Sequence, residues 1–449
     1  MGVHLFAESY GGRYGPAFAA LWEEQNARRL TGSLSLNGTL EIHLASLGIV
    51  NGCVDDLIQA PFYPYMAVNN TYGLTAINPT RADLARRSFD APNGCKTLIE
   101  ECRAAVAADD PNHEGNVSNV NGICAIAYST CTAKVMEPYF DAGRSVYDIA
   151  HYIPDSFPSN SYLEYLNTPE LLSAIGSPVN FTQTNRQVVA AFTAAGDYER
   201  NSFIPDIAFL LNAGIRVGFM YGDRDYICNW FGGEAISLAV AAATSPDYAT
   251  RFPAAGYAPI ITNDTYIGGD VRQYGNLSFS RIFDAGHALP AYQPETSFEV
   301  FARIMRGTSV STGEAIDLSN FNTTGPLNST HTNKLPDSPA PTCWVRNILE
   351  TCNVEQKNKI IANDGVIING IQYDASSDWS PVTSATQSPP SGTAGGNVVT
   401  TTTTQILTGF YTATATPSPT KGSVGFSVGI NTFLLSLSLL VSLSSLVLS

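Results

Sequence analysis

The chain has 449 residues, of which only 14% are charged, and its formal net charge is −15 at pH 7. An acidic chain with few lysine and arginine residues lacks the positive surface that nucleic acids require, so we exclude nucleic acid as a partner. The length predicts two or three domains, although a single α/β enzyme domain can be this long.

The first predicted elements are a strand over residues 1–6 and a helix over residues 13–26, joined by a sharp turn at Ser9. Small residues stand two positions before and two positions after this serine, as in the nucleophile elbow of hydrolases. Such a turn exposes the hydroxyl, and the backbone N–H of Tyr10 then points toward a developing oxyanion. Serines between small residues are common in turns, so the elbow alone is a weak signal.

Cysteines and glycosylation sequons predict the secretory route. The chain has eight cysteines, which favours disulfides and an oxidising compartment. The sequon asparagines are Asn37, Asn69, Asn116, Asn180, Asn263, Asn276, Asn322 and Asn328. No basic region, apolar run and cleavage site of a signal peptide precede the first strand. We therefore expect that the sequence lacks its natural beginning, rather than that the secretory features are accidental.

A buried strand and a long helical insertion follow. Residues 44–52 are an apolar run that ends in Asn-Gly, which is typical of a strand with a turn at its end. Residues 53–205 form the insertion, with helical patterns such as residues 97–108 and 187–195. Four cysteines in the insertion allow three pairings. We favour the nested one, which joins Cys95 to Cys131 and Cys102 to Cys124.

Strands and helices alternate again after residue 206. The predicted helices cover residues 207–213, 233–242 and 294–306, and the predicted strands cover residues 215–221 and 279–283. This alternation predicts an α/β fold with a mostly parallel sheet, whose functional loops gather at the carboxyl ends of the strands.

The C-terminal region has a different composition. Cys343 and Cys352 are spaced for a small local disulfide. Residues 356–423 become rich in Ser, Thr, Pro and Gly, which predicts a disordered, O-glycosylated stalk. Residues 424–449 end in an uncharged apolar run, typical of a GPI-attachment signal with Ser423, or Gly422, as the attachment residue. The alternative is a tail anchor that spans the bilayer, for which the run is near the lower limit of length.

Three residues at predicted strand ends could form a catalytic triad. A serine hydroxyl is a poor nucleophile until an imidazole takes its proton and a carboxylate orients that imidazole. Ser9, Asp225 and His287 follow in the order Ser, acid, His that α/β-hydrolases use. Of the six histidines, only His287 lies in a Gly-His-small loop directly after a strand. Asp223 competes with Asp225 for the role of the acid, and Asp55 is a further candidate.

Four stretches of the chain resemble the serine carboxypeptidases, particularly the secreted fungal ones. In the order of that family they are Glu8-Ser9-Tyr10-Gly11-Gly12; Asn51-Gly52 with Asp55; Gly222-Asp223-Arg224-Asp225-Tyr226-Ile227-Cys228-Asn229; and Gly286-His287 with Pro290. The resemblance covers about residues 2–306. It implies an α/β-hydrolase fold and an enzyme that removes C-terminal residues from peptides and proteins at acid pH, with no cofactor or metal.

The resemblance also implies a role for each site residue. Ser9 would be the nucleophile, His287 the general acid and base, Asp225 its orienting partner, and the Tyr10 N–H an oxyanion donor. Glu8 would bind the substrate's terminal carboxylate. A carboxyl group kept protonated by an acidic neighbour can donate a hydrogen bond to that carboxylate, and it loses this ability as pH rises.

The specificity pocket would contain Cys228, as a free thiol, and Ala288. The family's N-terminal half, with several strands, a Trp-Asn-Gly-Gly-Pro-type segment and a second Glu, does not precede Ser9. We therefore expect residues 1–355 to be the C-terminal part of a hydrolase domain, with the first strand at an unpaired sheet edge and Cys53 without its partner. A missing oxyanion donor typically costs ~10²–10³ in rate, so the activity of the chain as written is in doubt.

Two other functions fit some of these features. The first is a non-catalytic surface glycoprotein built on a hydrolase remnant. The second is an esterase or lipase, which shares the nucleophile elbow. In the favoured interpretation the partners are peptides with a free C-terminus and, through a lipid anchor, the membrane at the cell surface or cell wall.

Overall fold

A computed structural model of the chain describes residues 2–155, 157, 158, 162–337, 342, 343, 345, 348–368 and 371–378. The predicted GPI-attachment signal, Ser423 and the stalk beyond residue 378 lie outside the described residues. Within the described part of the chain, no helix combines the length and the apolar composition that crossing a bilayer requires.

Six strands form one mixed sheet. They are β1 (Val3–Glu8), β2 (Leu44–Val50), β3 (Arg216–Gly222), β4 (Ala258–Asn263), β5 (Tyr266–Tyr274) and β6 (Leu277–Ile282). Their order in the sheet is β1-β2-β3-β6-β5-β4. The pairs β1–β2, β2–β3 and β3–β6 are parallel, whereas β5 runs antiparallel to both β6 and β4. The predicted parallel sheet is therefore present, with an antiparallel extension.

Strands β4 and β5 were not predicted because their sequences break the apolar pattern. In β5, Gly268 and Gly269 stand beside the charged residues Asp270 and Arg272. Arg272 is nevertheless only 4% exposed, because its side chain donates to the carbonyl oxygens of Ala255 and Leu327. Tertiary partners thus decide a strand that local composition does not favour.

Helices occupy both sides of the sheet and the insertion. They are α1 (Gly11–Leu30), α2 (Asp56–Gln59), α3 (Phe62–Val68), α4 (Pro79–Asp90), α5 (Cys95–Asp109), α6 (Ser118–Cys131), α7 (Tyr162–Leu166), α8 (Pro169–Ile175), α9 (Arg186–Ala195), α10 (Asp197–Arg200), α11 (Ile204–Asn212), α12 (Trp230–Thr244), α13 (Pro246–Ala254), α14 (Leu289–Tyr292), α15 (Pro294–Arg306), α16 (Ile348–Thr351) and α17 (Val354–Ala362). The predicted helix after Ser9 ends within four residues of the bounds of α1, and the predicted helix before Gly307 has the same bounds as α15.

The core has a layer on each face of the sheet. Val217 and Phe219 of β3 belong to the cluster that packs against α1, α11 and α12. Met220 belongs to the opposite cluster, which includes Ile304 of α15. A Cβ at Gly218 would lie 2.2 Å from the Ile304 side chain, so this strand position has no room for a larger residue. The alternation of faces along β3 follows from the two-residue period of a strand.

The insertion has its own core, built mainly from α3 to α6. Cys95 and Cys102 lie seven residues apart on α5, and Cys124 and Cys131 are spaced in the same way on α6, so each pair shares a helix face. The structure contains the nested disulfides, Cys95–Cys131 and Cys102–Cys124, that the sequence favoured.

The stalk was predicted to begin at residue 356, and the structure differs over its first part. Residues 356–362 continue α17, and β7 (Val366–Ile368) pairs with β8 (Ile371–Tyr373). The Cys343–Cys352 disulfide precedes this hairpin, and Asn353 begins α17 with a reciprocal capping box. A cross-link and a cap thus give local order to a segment with little core.

Candidate active site

Ser9 lies on a strand-to-helix turn with unusual backbone geometry. Its φ angle is +60°, a left-handed conformation that costs free energy in residues other than glycine. The Ser9 N–H donates to the carbonyl oxygen of Val50 at 3.1 Å, and its own carbonyl oxygen accepts from Cys53 at 3.0 Å. A Cβ at Gly11 would lie 3.0 Å from the Ala7 methyl, so small residues let strand and helix meet here. These contacts hold the serine at the carboxyl end of β1.

Asp225 and His287 form a buried pair at the ends of β3 and β6. The Nδ1 atom of His287 lies 2.8 Å from Oδ2 of Asp225, whose side chain is fully buried. The other oxygen of Asp225 accepts from the Ile227 N–H at 3.0 Å, and the His287 N–H donates to the carbonyl oxygen of Tyr147 at 2.8 Å. Because Asp225 occupies Nδ1, Nε2 is the ring nitrogen that remains for proton transfer.

Only one of the three acidic candidates contacts the histidine. Asp223 instead contacts the guanidinium of Arg281 at 3.0 Å and accepts from the Tyr72 hydroxyl at 2.5 Å. Asp55 pairs with Arg103 at 2.8 Å and caps α2. The structure therefore separates three aspartates that the sequence pattern left open.

Asn51 is a site residue that the sequence pattern did not identify. Its side-chain nitrogen donates to Oδ2 of Asp225 at 2.8 Å, and its side-chain oxygen accepts from the Gly222 N–H at 3.1 Å. Asn51 is fully buried and has a φ angle of +41° at the end of β2. In the sequence, the Asn-Gly pair indicated only a turn. An amide side chain in a turn that follows the strand next to β1 is the feature that could have identified Asn51 as a site residue.

Glu8 is close enough to the pair to interact with its charges. The side chain is exposed at the end of β1, yet the surrounding protein partly desolvates its carboxylate and raises its pKa. The positive charge of a protonated His287 lowers the pKa of Glu8, whereas the negative charge of Asp225 adds to the increase that desolvation causes. The acidic neighbour that acts on Glu8 within the described residues is thus Asp225, rather than a second glutamate.

The environment of His287 favours the protonated ring. Burial alone lowers its pKa, but the charge and the hydrogen bond of Asp225, with the charge of Glu8, raise the pKa above its ordinary value overall. This balance stabilises an imidazolium, which is the form that a histidine adopts after it takes a proton from a nucleophile.

Tyr10 follows the serine and begins an aromatic cluster. Its hydroxyl donates to Asp197, and its ring centre lies 4.7 Å from that of Tyr198 and 6.0 Å from that of Phe192. Among the residues that the structure describes, no protein acceptor pairs with the Tyr10 backbone N–H. This donor lies at the start of α1, where a negative charge is stabilised.

The expectation of a free thiol at Cys228 is wrong, and so is that of an unpaired Cys53. The two cysteines form a disulfide with their Cα atoms 5.2 Å apart, and the chain has no free cysteine. The reason is that β2 and β3 are parallel neighbours, so the loops that follow them lie side by side. Ala288, the other residue of the expected pocket, is half-buried and directly follows His287.

Most sequon asparagines lie at the surface. The exposed ones are Asn37, Asn69, Asn116, Asn180, Asn322 and Asn328. Asn263 and Asn276 are half-buried, and their side chains donate to Glu295 and to the carbonyl oxygen of Gly214. Surface exposure is what attachment of a glycan requires.

Comparisons with known proteins point to one family. A family model described as serine carboxypeptidase matches residues 2–307. Carboxypeptidase S1 homolog A of Trichophyton rubrum is 41% identical over 406 residues, which cover 88% of this chain and 62% of the relative. Carboxypeptidase S1 of Penicillium janthinellum is 32% identical over 309 residues, 68% of this chain and 67% of the relative.

The chain spans about three fifths of the length of the Trichophyton relative. The crystal structure of a prohormone-processing carboxypeptidase from Saccharomyces cerevisiae aligns with 72% of this chain and 65% of its own, at 18% identity and a TM-score of 0.47.

Proposed function

The chain belongs to the serine carboxypeptidase family, and we propose that it hydrolyses the C-terminal peptide bond of peptides and proteins through an acyl-enzyme at acid pH. The observation that carries this proposal is the 2.8 Å contact between His287 and Asp225. This pair and the strained turn of Ser9 all follow the carboxyl ends of parallel strands of one sheet. The order of these residues along the chain fits an α/β-hydrolase.

In the proposed reaction, Nε2 of His287 takes the proton of the Ser9 hydroxyl while its oxygen attacks the scissile carbonyl carbon. Asp225 stabilises the imidazolium, and the Tyr10 N–H donates to the oxyanion. His287 then protonates the leaving amine, so that an ester joins Ser9 to the rest of the substrate. A water molecule, deprotonated by His287, attacks this ester and frees the serine hydroxyl.

Recognition of the substrate's terminal carboxylate is assigned to Glu8. Its raised pKa supports a protonated side chain at acid pH, and a protonated carboxyl can donate to the substrate carboxylate. Once Glu8 ionises, two negative charges face each other and binding weakens. The exposed position of Glu8 leaves room for a substrate C-terminus. Ala288 and the disulfide sulfur of Cys228 are assigned to the pocket beside His287.

A labelling experiment and a substrate pair test the proposal. A fluorophosphonate probe should label the folded chain, and the Ser9→Ala variant should lose the label. The wild type should release the C-terminal amino acid from a blocked dipeptide but act poorly on the same dipeptide with an amidated C-terminus. Absence of labelling would favour a non-catalytic glycoprotein. Faster hydrolysis of simple esters, with no effect of amidation, would favour an esterase.

The proposed location is the cell surface, through the secretory pathway and a GPI anchor attached at or near Ser423. Support comes from the four disulfides, which form in oxidising compartments, and from the small residues and apolar run at the C-terminal end of the sequence. Phosphatidylinositol-specific phospholipase C should release the protein from intact cells. Release by detergent alone would instead favour a tail anchor.

A further inference from the structure

The Cys53–Cys228 disulfide joins the two loops that flank the candidate active site. Cys53 follows β2, two residues after Asn51, and Cys228 follows β3, three residues after Asp225. The two cysteines are 175 residues apart in the sequence, with the whole insertion between them. The other three disulfides lie within the insertion and in the segment that follows α15.

One end of this disulfide contacts the turn of the nucleophile. The Cys53 N–H donates to the carbonyl oxygen of Ser9 at 3.0 Å. A Cβ at Gly12 would lie 3.0 Å from the Cys53 carbonyl oxygen, so the first turn of α1 packs directly on the backbone of Cys53. A movement of Cys53 would therefore be transmitted to the backbone that holds the Ser9 hydroxyl.

The other end of the disulfide lies beside the acid and the base. The Cys228 sulfur, a carboxylate oxygen of Asp225 and a ring nitrogen of His287 all lie within 4.8 Å of one another. Three such groups could hold a metal ion if the sulfur were a thiolate, but the disulfide bond removes that ligand. The sulfur instead contributes an uncharged wall next to the histidine, and Cys228 is only 2% exposed.

We propose that the Cys53–Cys228 disulfide is a positioning cross-link that fixes the Ser9 turn relative to the Asp225–His287 pair. This inference rests on the proposed function for its kinetic consequence. The hydrogen bonds of Asn51 and Cys53 define the arrangement, and the covalent bond prevents the two loops from separating. A displacement of about 1 Å between reacting groups can cost ~10²-fold in rate, so loss of the cross-link should act on kcat.

The test compares two disulfide deletions of the same kind. The C53A/C228A variant removes the cross-link without adding buried polar groups, and C343A/C352A is the matched control because its disulfide lies outside the site. In C53A/C228A we expect kcat and the rate of fluorophosphonate labelling to fall at least ~10-fold. The control should keep both rates.

A spectroscopic signature makes the test independent of activity. The Nδ1 proton of His287, hydrogen-bonded to Asp225, should give a downfield proton resonance in the wild type and in the control. This resonance should broaden or disappear in C53A/C228A. If the wild type is inactive but the resonance behaves in this way, the positioning role stands and the proposed function fails.

Two results would overturn the inference. The first is a folded C53A/C228A variant that keeps its kcat, its pH profile and the His287 resonance while only its thermal stability falls, because the bond would then be a structural staple. The second is failure of both C53A/C228A and the space-filling C53V/C228A to fold while the control folds, because the bond would then serve folding rather than placement.

Discussion

Replacing Asn51 by alanine should weaken both the fold and the candidate site. The substitution leaves the buried Gly222 N–H without its acceptor, which costs about 1–3 kcal/mol, and removes a hydrogen bond to the charged Asp225, worth about 1.5–3 kcal/mol. Alanine at a φ angle of +41° adds about 1 kcal/mol of strain. The sum, about 3.5–7 kcal/mol, is a large part of the free energy of unfolding of a typical domain.

The same substitution should change the titration of the histidine. Without the amide donor, the Asp225 carboxylate is less stabilised as an anion and holds the proton of His287 more strongly. The pKa of His287, already raised, should therefore rise further. Because the reaction needs a neutral imidazole, the acid limb of the pH profile of kcat/KM should move to higher pH.

Urea unfolding and the pH profile of kcat/KM measure the two effects, and Asn51→Gly separates their causes. Glycine relieves the backbone strain but makes neither side-chain hydrogen bond, so its stability should exceed that of Asn51→Ala by about 1 kcal/mol while its pH profile matches. A loss below about 1 kcal/mol in Asn51→Ala, with an unchanged acid limb, would refute the assignment of Asn51 as the partner that orients Asp225.

Three further predictions concern other parts of the molecule. In Glu8→Gln the amide can donate at every pH, so KM for a blocked dipeptide should stay constant over the range in which the wild-type KM rises with pH; a parallel rise in both would contradict the role of Glu8. The carboxyl of Glu199 is fully buried, and burial, the charge of Asp56 and a hydrogen bond with its carboxyl group raise the pKa of Glu199 well above the ordinary value. The native state therefore binds a proton that the unfolded state releases, so stability should fall as pH rises from the unfolded pKa of about 4.3 through the native pKa, and urea unfolding should show a smaller fall in Glu199→Gln. In Gly218→Val the new side chain meets Ile304, so thermal unfolding should show a loss of about 1–3 kcal/mol, whereas an unchanged melting temperature would mean that α15 can shift at no cost.

Local patterns in the sequence were sufficient for the elements that carry the site. The strand and helix around Ser9, and the strand before His287, have short-range signals in their apolar period and turn residues. The residue pattern alone could not choose Asp225 over Asp223, because both follow β3 within one loop and only side-chain direction separates them; the family resemblance favoured Asp225. Direction in a loop depends on tertiary partners, which the sequence pattern does not contain.

The pairing of Cys53 was beyond sequence reasoning for a related reason. Its partner became evident only once β2 and β3 were known to be neighbours, and the insertion separates them along the chain. The nested pairs on α5 and α6 could be favoured from sequence because their spacing matches the helical period. The disulfides whose partners lie close together in the sequence could thus be predicted, and the one whose partners are 175 residues apart could not.

The parallel pairing of β2 with β3 also determines when the site can form during folding. It joins Ser46 through Val50 to Arg216 through Met220, so the whole insertion must be enclosed in a chain loop before Asn51 can reach Asp225. Closing such a loop costs conformational entropy before any contact compensates for it, whereas the α5–α6 hairpin needs only local contacts. The insertion should therefore acquire structure first, and the loops that carry Asn51, Asp225 and His287 should come together last. A nascent chain released before β3 has been synthesised would carry a folded helical insertion and a serine turn with neither acid nor base.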